Sequence, residues 1–393
     1  MLTWATFKNF LKVLLFVLFT TAIVYFSIDL IQEKNNLMDI EEYTPISSLV
    51  VEQNTKDRSK FPFVDVHSHQ WKMPVMDFTE LVAEMDSLNM GYMINLSGSG
   101  FGTFAGNQDL MDISLTKSIE NVESQGLSNR FGVFVNVDFN KIDDENFAEN
   151  NVRIIKDAVN QGAIGLKVYK NLGLNLKDGS GDRVKVDDPR LNPIWQVCGE
   201  LKIPVLIHSG EPSPFFDPID KYNERWLHAR QKPASFRSPE KYPSFDVVMQ
   251  EQHNMFKNNP NTIFINAHLG WYGNDLDKLS QQLDSLSNVY TEIGAVIAEL
   301  GRQPIRAKRF FVEHQDRVLF GKDTYKKSEY NIYFRILETD DEYFDYYRKR
   351  HAHWRMYGLN LPDSILKKLY YKNALRLFPS IPADLFEIKN EMK

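Results

Sequence analysis

Four apolar stretches of this chain each end in side chains able to bind a cation, and the recurrence matters more than any one of them. In Phe63-Val64-Asp65-Val66-His67-Ser68-His69 the histidines stand at i and i+2, so an extended backbone sends both imidazoles to one side, where they can meet a single ion. Val205-Leu206-Ile207-His208, Phe264-Ile265-Asn266-Ala267-His268 and Leu319-Phe320-Gly321-Lys322-Asp323 repeat the pattern with one candidate ligand each. A lone histidine or aspartate at a strand end is more often a hydrogen-bonded structural group, and an isolated H-x-H pair is weak evidence. Four such endings in register point instead to a metal site. Lys167, in Ala163-Ile164-Gly165-Leu166-Lys167-Val168, puts a charge in an apolar run; it is read as pairing with a carboxylate, binding substrate or bridging metal. The chain has one cysteine, Cys198, which excludes an internal disulfide and a thiolate cluster and leaves imidazole and carboxylate as the available donors. His228, His253, His314, His351 and His353 fall outside the strand ends and are read as structural or surface groups, with His228 kept as a candidate substrate contact.

These residues need elements that bring distant segments to one place. After Phe61, short apolar runs alternate with longer amphipathic stretches, the pattern of βα units around a parallel sheet. Strands are predicted at Phe63–His67, Tyr92–Leu96, Phe131–Val137, Ile164–Val168, Pro204–His208, Thr262–His268, Val289–Ile293 and Val318–Gly321. Helices are predicted at Phe78–Leu88, Leu110–Ser124, Phe147–Asn160, Pro193–Leu201, Asp246–Lys257, Leu276–Leu286, Ile305–His314 and Asp363–Leu377. Eight of each predict an α/β fold, a closed (β/α)8 TIM barrel, in which all the candidate ligands sit at the C-terminal strand ends where such barrels carry their chemistry. Two connections, Glu211–Phe245 and Lys326–His353, are too long for simple turns and are candidate lids over that end.

The order H-x-H, lysine, histidine, histidine, aspartate on the first, fourth, fifth, sixth and eighth strands resembles the amidohydrolase superfamily. Asp65-Val66-His67-Ser68-His69, Ile207-His208-Ser209-Gly210, Ala267-His268-Leu269-Gly270, Gly358-Leu359-Asn360-Leu361-Pro362 and Tyr371-Lys372-Asn373-Ala374 are similar to its amidohydrolase-related branch. The resemblance implies a divalent metal, zinc by preference, with one ion held by His67, His69, His208 and Asp323. It implies hydrolysis of an amide, ester or lactone in a small-molecule substrate, with Asp323 accepting the water proton and His268 binding a second ion or stabilising an oxyanion. A two-ion variant would use a carboxylated Lys167 beside His208, and Asp65 is expected to support the ligands from behind. The branch also contains nonoxidative decarboxylases, for which Arg225, Arg230 and Arg237 are candidate carboxylate binders. A non-catalytic, membrane-anchored binding protein is the third reading, and it predicts a missing ligand.

The N-terminus carries a different signal. Val13–Ile28 is uncharged and apolar, preceded by Lys8 and Lys12 and followed by Asp29 and Glu33, and it lacks a small-residue cleavage site. A transmembrane helix is expected, with the barrel outside the cytoplasm because the lysines hold the N-terminal side in. The expected organisation is an anchor over 1–32, a polar tether over 33–60, the barrel over 61–380 and a tail over 381–393. The net charge of −6 gives no concentrated basic surface, so nucleic acid is not an expected partner.

Overall fold

The computed structural model describes residues 4–35, 38–40, 42–100, 107–351 and 353–386. The chain divides into two compact units, Met1–Val50 and Val51–Lys393. In the first, helix α1 (Trp4–Asn35) contains a stretch, Phe7–Ile31, long and apolar enough to cross a membrane. Its 25 residues span roughly 37 Å, more than the Val13–Ile28 run alone offers. The hydroxyls of Thr20, Thr21 and Ser27 donate to the carbonyls of Phe16, Val17 and Ile23, so these polar groups are satisfied inside the helix and do not count against burial in lipid.

Among its described residues the second unit holds eight parallel strands: β1 (Phe63–Ser68), β2 (Met90–Asn95), β3 (Phe131–Val133), β4 (Leu166–Val168), β5 (Val205–Ile207), β6 (Phe264–Asn266), β7 (Val289–Glu292) and β8 (Val318–Leu319). They form two ladders, β1-β2-β3 and β4 through β8, and two single parallel bridges close them into a ring. Val135 bridges to Leu166, with Lys167 N donating to Val135 O at 2.9 Å, and Ser68 bridges to Asp323, with Asp323 N donating to His67 O at 2.6 Å. Most strands are short, and β1, β3, β4, β5 and β6 are buried at every position because helices cover the outside and side chains fill the inside. The predicted helices form close to their expected bounds, and the last is interrupted by a π turn at Lys368–Lys372 between Asp363–Lys367 and Asn373–Leu377.

The barrel unit begins earlier than residue 61, so residues 51–60 of the expected tether lie within it. Asn54 donates from its backbone and its side chain to Asp341, and Ser59 Oγ donates to Phe61 O and Leu88 O. At the other end Phe386 stacks on Tyr371 with ring centroids 5.3 Å apart; residues 387–393 of the expected tail lie outside the described residues. The long segment Lys326–His353 is partly helical. Tyr330–Glu338 packs Tyr330, Tyr333 and Phe334 into the core against Phe63 and Phe320.

Candidate metal centre

Chain direction explains the convergence: every strand runs the same way, so the residues that follow β1, β5, β6 and β8 all emerge at one rim. His67 Nε2 lies 3.6 Å and His69 Nε2 3.5 Å from Asp323 Oδ1, and the ligand atoms of these three residues are within 4.8 Å of one another. Asp323 reaches this position from left-handed backbone (φ 77°), which aspartate tolerates better than most residues. His268 also needs left-handed backbone (φ 60°), in a run with Leu269, Gly270 and Trp271 that turns the chain sharply after β6 and brings the imidazole back over the barrel. His208 stands outside the trio, with its Nδ1 3.3 Å from His268 Nε2.

The hydrogen-bond network assigns the imidazole protons. His268 Nδ1 is 2.7 Å from Gly294 O, a carbonyl that can only accept, so Nδ1 carries the proton and Nε2 offers a lone pair. That lone pair accepts from His208 Nδ1, which leaves the lone pair of His208 on Nε2, a buried atom without a hydrogen-bond partner. His67 Nδ1 donates to Glu292 Oε1 at 3.0 Å. For His69 the chain runs Nδ1 to Ser97 Oγ (2.6 Å), Ser97 Oγ to Tyr169 OH (3.0 Å) and Tyr169 OH to Leu96 O (3.2 Å); the terminal carbonyl sets its direction. His67, His69 and His208 therefore all keep the Nε2 lone pair free, which is the form a cation requires.

Electrostatics agree with that assignment. Burial drives His67 and His208 well below the ordinary histidine range and His69 to about 4, so all three are neutral at pH 7. Burial alone would raise Asp323, but positive charge around it, of which the buried Lys167 persists at pH 7, keeps the carboxyl below its ordinary range. Lys167 is 1% exposed, its Nζ has no hydrogen-bond partner among the described residues, and burial lowers it to about 8 against the pull of Asp323 and Glu292. Asp65 accepts from His67 N (3.0 Å), Lys322 N (3.2 Å) and Tyr330 OH (2.6 Å), tying β1 to the segment that carries Asp323; burial raises it to about 7.

Glu292, at the end of β7, is the residue that sequence reasoning missed. It is fully buried; Oε1 accepts from His67 Nδ1 and, at 2.7 Å, from the backbone N–H of His268, while Oε2 accepts from Gly294 N. His67, His268 and Glu292 also form a compact donor group, but its Nδ1 atoms are committed to Glu292 and to Gly294 O. Glu292 therefore orients the ligands and is not itself an open ligand position. The signal was present, since Val-Tyr-Thr-Glu ends an apolar strand as the other four runs do.

Both long connections wall a cavity of about 290 Å³ above the site; His208, His268, Trp271 and Asp323 form its inner end. Arg225 is committed to Glu299 and to His351 O, and Arg237 to Glu211 and Ala234 O. These two guanidiniums are structural ties. Arg230 is exposed, lies over Trp226 and does not line the cavity.

The free lone pairs of His67, His69 and His208 and the ionised Asp323 fit a divalent metal ion, and no proton has to leave an imidazole for it to bind. Among solved structures, an amidohydrolase II is 16% identical with TM-score 0.50, covering 80% of this chain and 99% of that one. A dihydroxybenzoic acid decarboxylase from Polaromonas sp., with bound manganese and the inhibitor 2-nitroresorcinol, is 13% identical with TM-score 0.51, covering 84% and 100%. At these identities the likeness shows the barrel alone. No curated protein matches the chain. The family model described as Amidohydrolase matches residues 121–380, which take in the strands bearing Lys167, His208, His268, Glu292 and Asp323. Since that match covers well over half of the sequence, the chain belongs to the amidohydrolase family.

Proposed function

We propose that this protein is a metal-dependent hydrolase that directs water onto an amide, ester or lactone carbonyl of a small molecule. The observation that supports the reading is the approach of the free Nε2 lone pairs of His67 and His69 to within 3.6 Å and 3.5 Å of the ionised Asp323 carboxylate. A divalent ion held by His67, His69, His208 and Asp323 would supply Lewis acidity to the carbonyl and to water. Asp323 takes the proton of the attacking water and returns it to the leaving group. His268 orients His208 through its Nε2, and it could donate to an oxyanion only after taking up a proton there. One ion is preferred because the closest donors form a single trio around Asp323; two would need Lys167 to be carboxylated. Imidazole and carboxylate donors suit zinc, and they also suit manganese, the ion bound in the Polaromonas structure.

Nonoxidative decarboxylation is the second reading, favoured by that neighbour's printed activity and by the cationic outer wall of the cavity. Metal analysis of wild type and His208→Ala, with a substrate panel run in oxygen-18 water, separates the two. Label in the product, lost with the metal in His208→Ala, supports hydrolysis; carbon dioxide release without label replaces it with the lyase. Phe7–Ile31 is proposed to anchor the protein in a membrane, with Lys8 and Lys12 keeping the short N-terminal end in the cytoplasm and the barrel outside it.

A further inference from the structure

The outer end of the cavity carries positive charge that the protein itself does not neutralise. Of the cations lining it, Lys170 pairs with Glu211 at 2.7 Å, Arg225 pairs with Glu299, and Arg348 pairs with Glu329 at 3.1 Å. Arg350 and Lys232 have no ion-pair partner among the described residues, and Arg350 Nε is buried without a hydrogen bond. Between the two loops that carry them, the rings of His228 and His351 lie 4.9 Å apart. His228 is 6% exposed; its Nε2 is 2.9 Å from Ser235 Oγ, while Nδ1 is buried and has no partner. Two adjacent imidazoles could suggest a second metal site, but the surroundings oppose a cation. Burial, then Arg225 and neighbouring cations that include Arg350, lower His228 to about 4 and His351 to about 2. No carboxylate acts on either ring in the opposite sense among those causes.

We propose that Arg350, Lys232 and His228 form an anion subsite that holds a second acidic group, a carboxylate or a phosphate, of a substrate whose reacting group lies at the His67, His69 and Asp323 end. The proposal rests on the metal-centre reading for its inner end only. The guanidinium of Arg350 offers a planar donor fork, Lys232 adds a flexible point charge from the rim, and His228 Nδ1, protonated when Ser235 donates to Nε2, adds a neutral N–H. The buried Arg350 Nε and His228 Nδ1 lack partners at a free-energy cost that an anionic ligand would recover, and the exposed Lys232 adds charge at the rim, so the subsite selects dianionic over monoanionic substrates. The two long connections supply these groups separately, His228 and Lys232 from one and Arg350 from the other, in a lining they share with His208, His268 and Asp323.

Rigid aromatic acids test this because their charges stay a fixed distance apart. Binding of benzoate, isophthalate and 3-phosphonobenzoate is measured by calorimetry on metal-loaded full-length protein in detergent, for wild type, Arg350→Gln and the rim variant Lys232→Ala. At least one dianion is expected to bind roughly tenfold to a hundredfold more tightly than benzoate, with the better one naming the acidic group. Arg350→Gln should bring that ratio near one and leave benzoate unchanged, and Lys232→Ala should lower it in part. A ratio near one in wild type overturns the subsite, as does a ratio that survives in both variants. Repeating the titration after chelation keeps the two readings apart. A preserved ratio with weaker binding of every probe supports both, and a preserved ratio with no weakening supports the subsite while removing the metal centre.

Discussion

Glu292→Gln tests whether the buried carboxylate sets the direction of the metal ligands. In wild type one oxygen accepts from His67 Nδ1 and His268 N, and the other accepts from Gly294 N. Glutamine keeps the shape but replaces one acceptor with an NH2 donor. If that donor faces Gly294 N, two N–H groups oppose each other; if it faces His67, the imidazole must give up its Nδ1 proton or lose its partner. A proton moved to Nε2 removes the lone pair that points toward Asp323. Either outcome leaves a buried donor unsatisfied at a cost of about 1–3 kcal/mol, equivalent to roughly tenfold to a hundredfold in metal affinity. Zn2+ and Mn2+ affinities measured against a chromophoric chelator should weaken by that factor, and the melting temperature of the metal-free protein should fall by a few degrees as well. Gly321→Ala approaches the same carboxylate from the β8 side, since a Cβ there would meet Glu292 Oε2 and lie 2.9 Å from His67 Cβ; it should weaken metal binding in the same direction. Metal affinity within twofold of wild type in Glu292→Gln, with only the melting temperature lowered, would refute the orienting role.

Two further predictions concern acid and the membrane. Burial holds His67 and His208 well below the ordinary histidine range, His69 and His228 at about 4 and His351 at about 2, whereas in the unfolded chain all five protonate near 6.5. Their contribution to stability is therefore complete above about pH 6.5 and is lost as pH falls toward 4. Asp65, raised to about 7, works in the opposite sense over the same window with one proton against five, so metal-free protein should lose at most roughly 5 kcal/mol per pH unit. A melting temperature that stays flat between pH 6.5 and 5 would contradict this, and bound metal should steepen the loss because it competes with the same protons. For the anchor, protease added to intact cells should digest the barrel and leave a membrane-associated fragment containing Phe7–Ile31; a barrel protected until lysis would reverse the orientation.

What could be read from the sequence follows the range over which each interaction acts. A βα repeat is written locally, in strand-length apolar runs and helical periodicity, and all eight strands form where those runs lie. His67 and His69 meet at Asp323 because two-residue spacing survives any detail of the barrel. His268 is different. Its run predicts a strand as far as the histidine, but β6 stops at Asn266 and left-handed backbone continues through Leu269 to Trp271, a conformation that non-glycine residues take only when the surrounding packing compels it. Arg225 and Arg237 looked available for substrate because their partners could not be seen in a linear chain. Glu299 lies 74 residues from Arg225, and Glu211 is 26 residues from Arg237 across the same loop. The same limit kept Arg350 unremarked and left His228 no more than a candidate substrate contact, since what distinguishes both is a buried polar atom without a partner, a property that only the folded arrangement defines. Position at a strand end therefore predicts which residues gather at the proposed metal site. Which cations are left without a partner is decided by charge pairing between loops, so the proposed metal end of this site is local information and the proposed anion subsite is not.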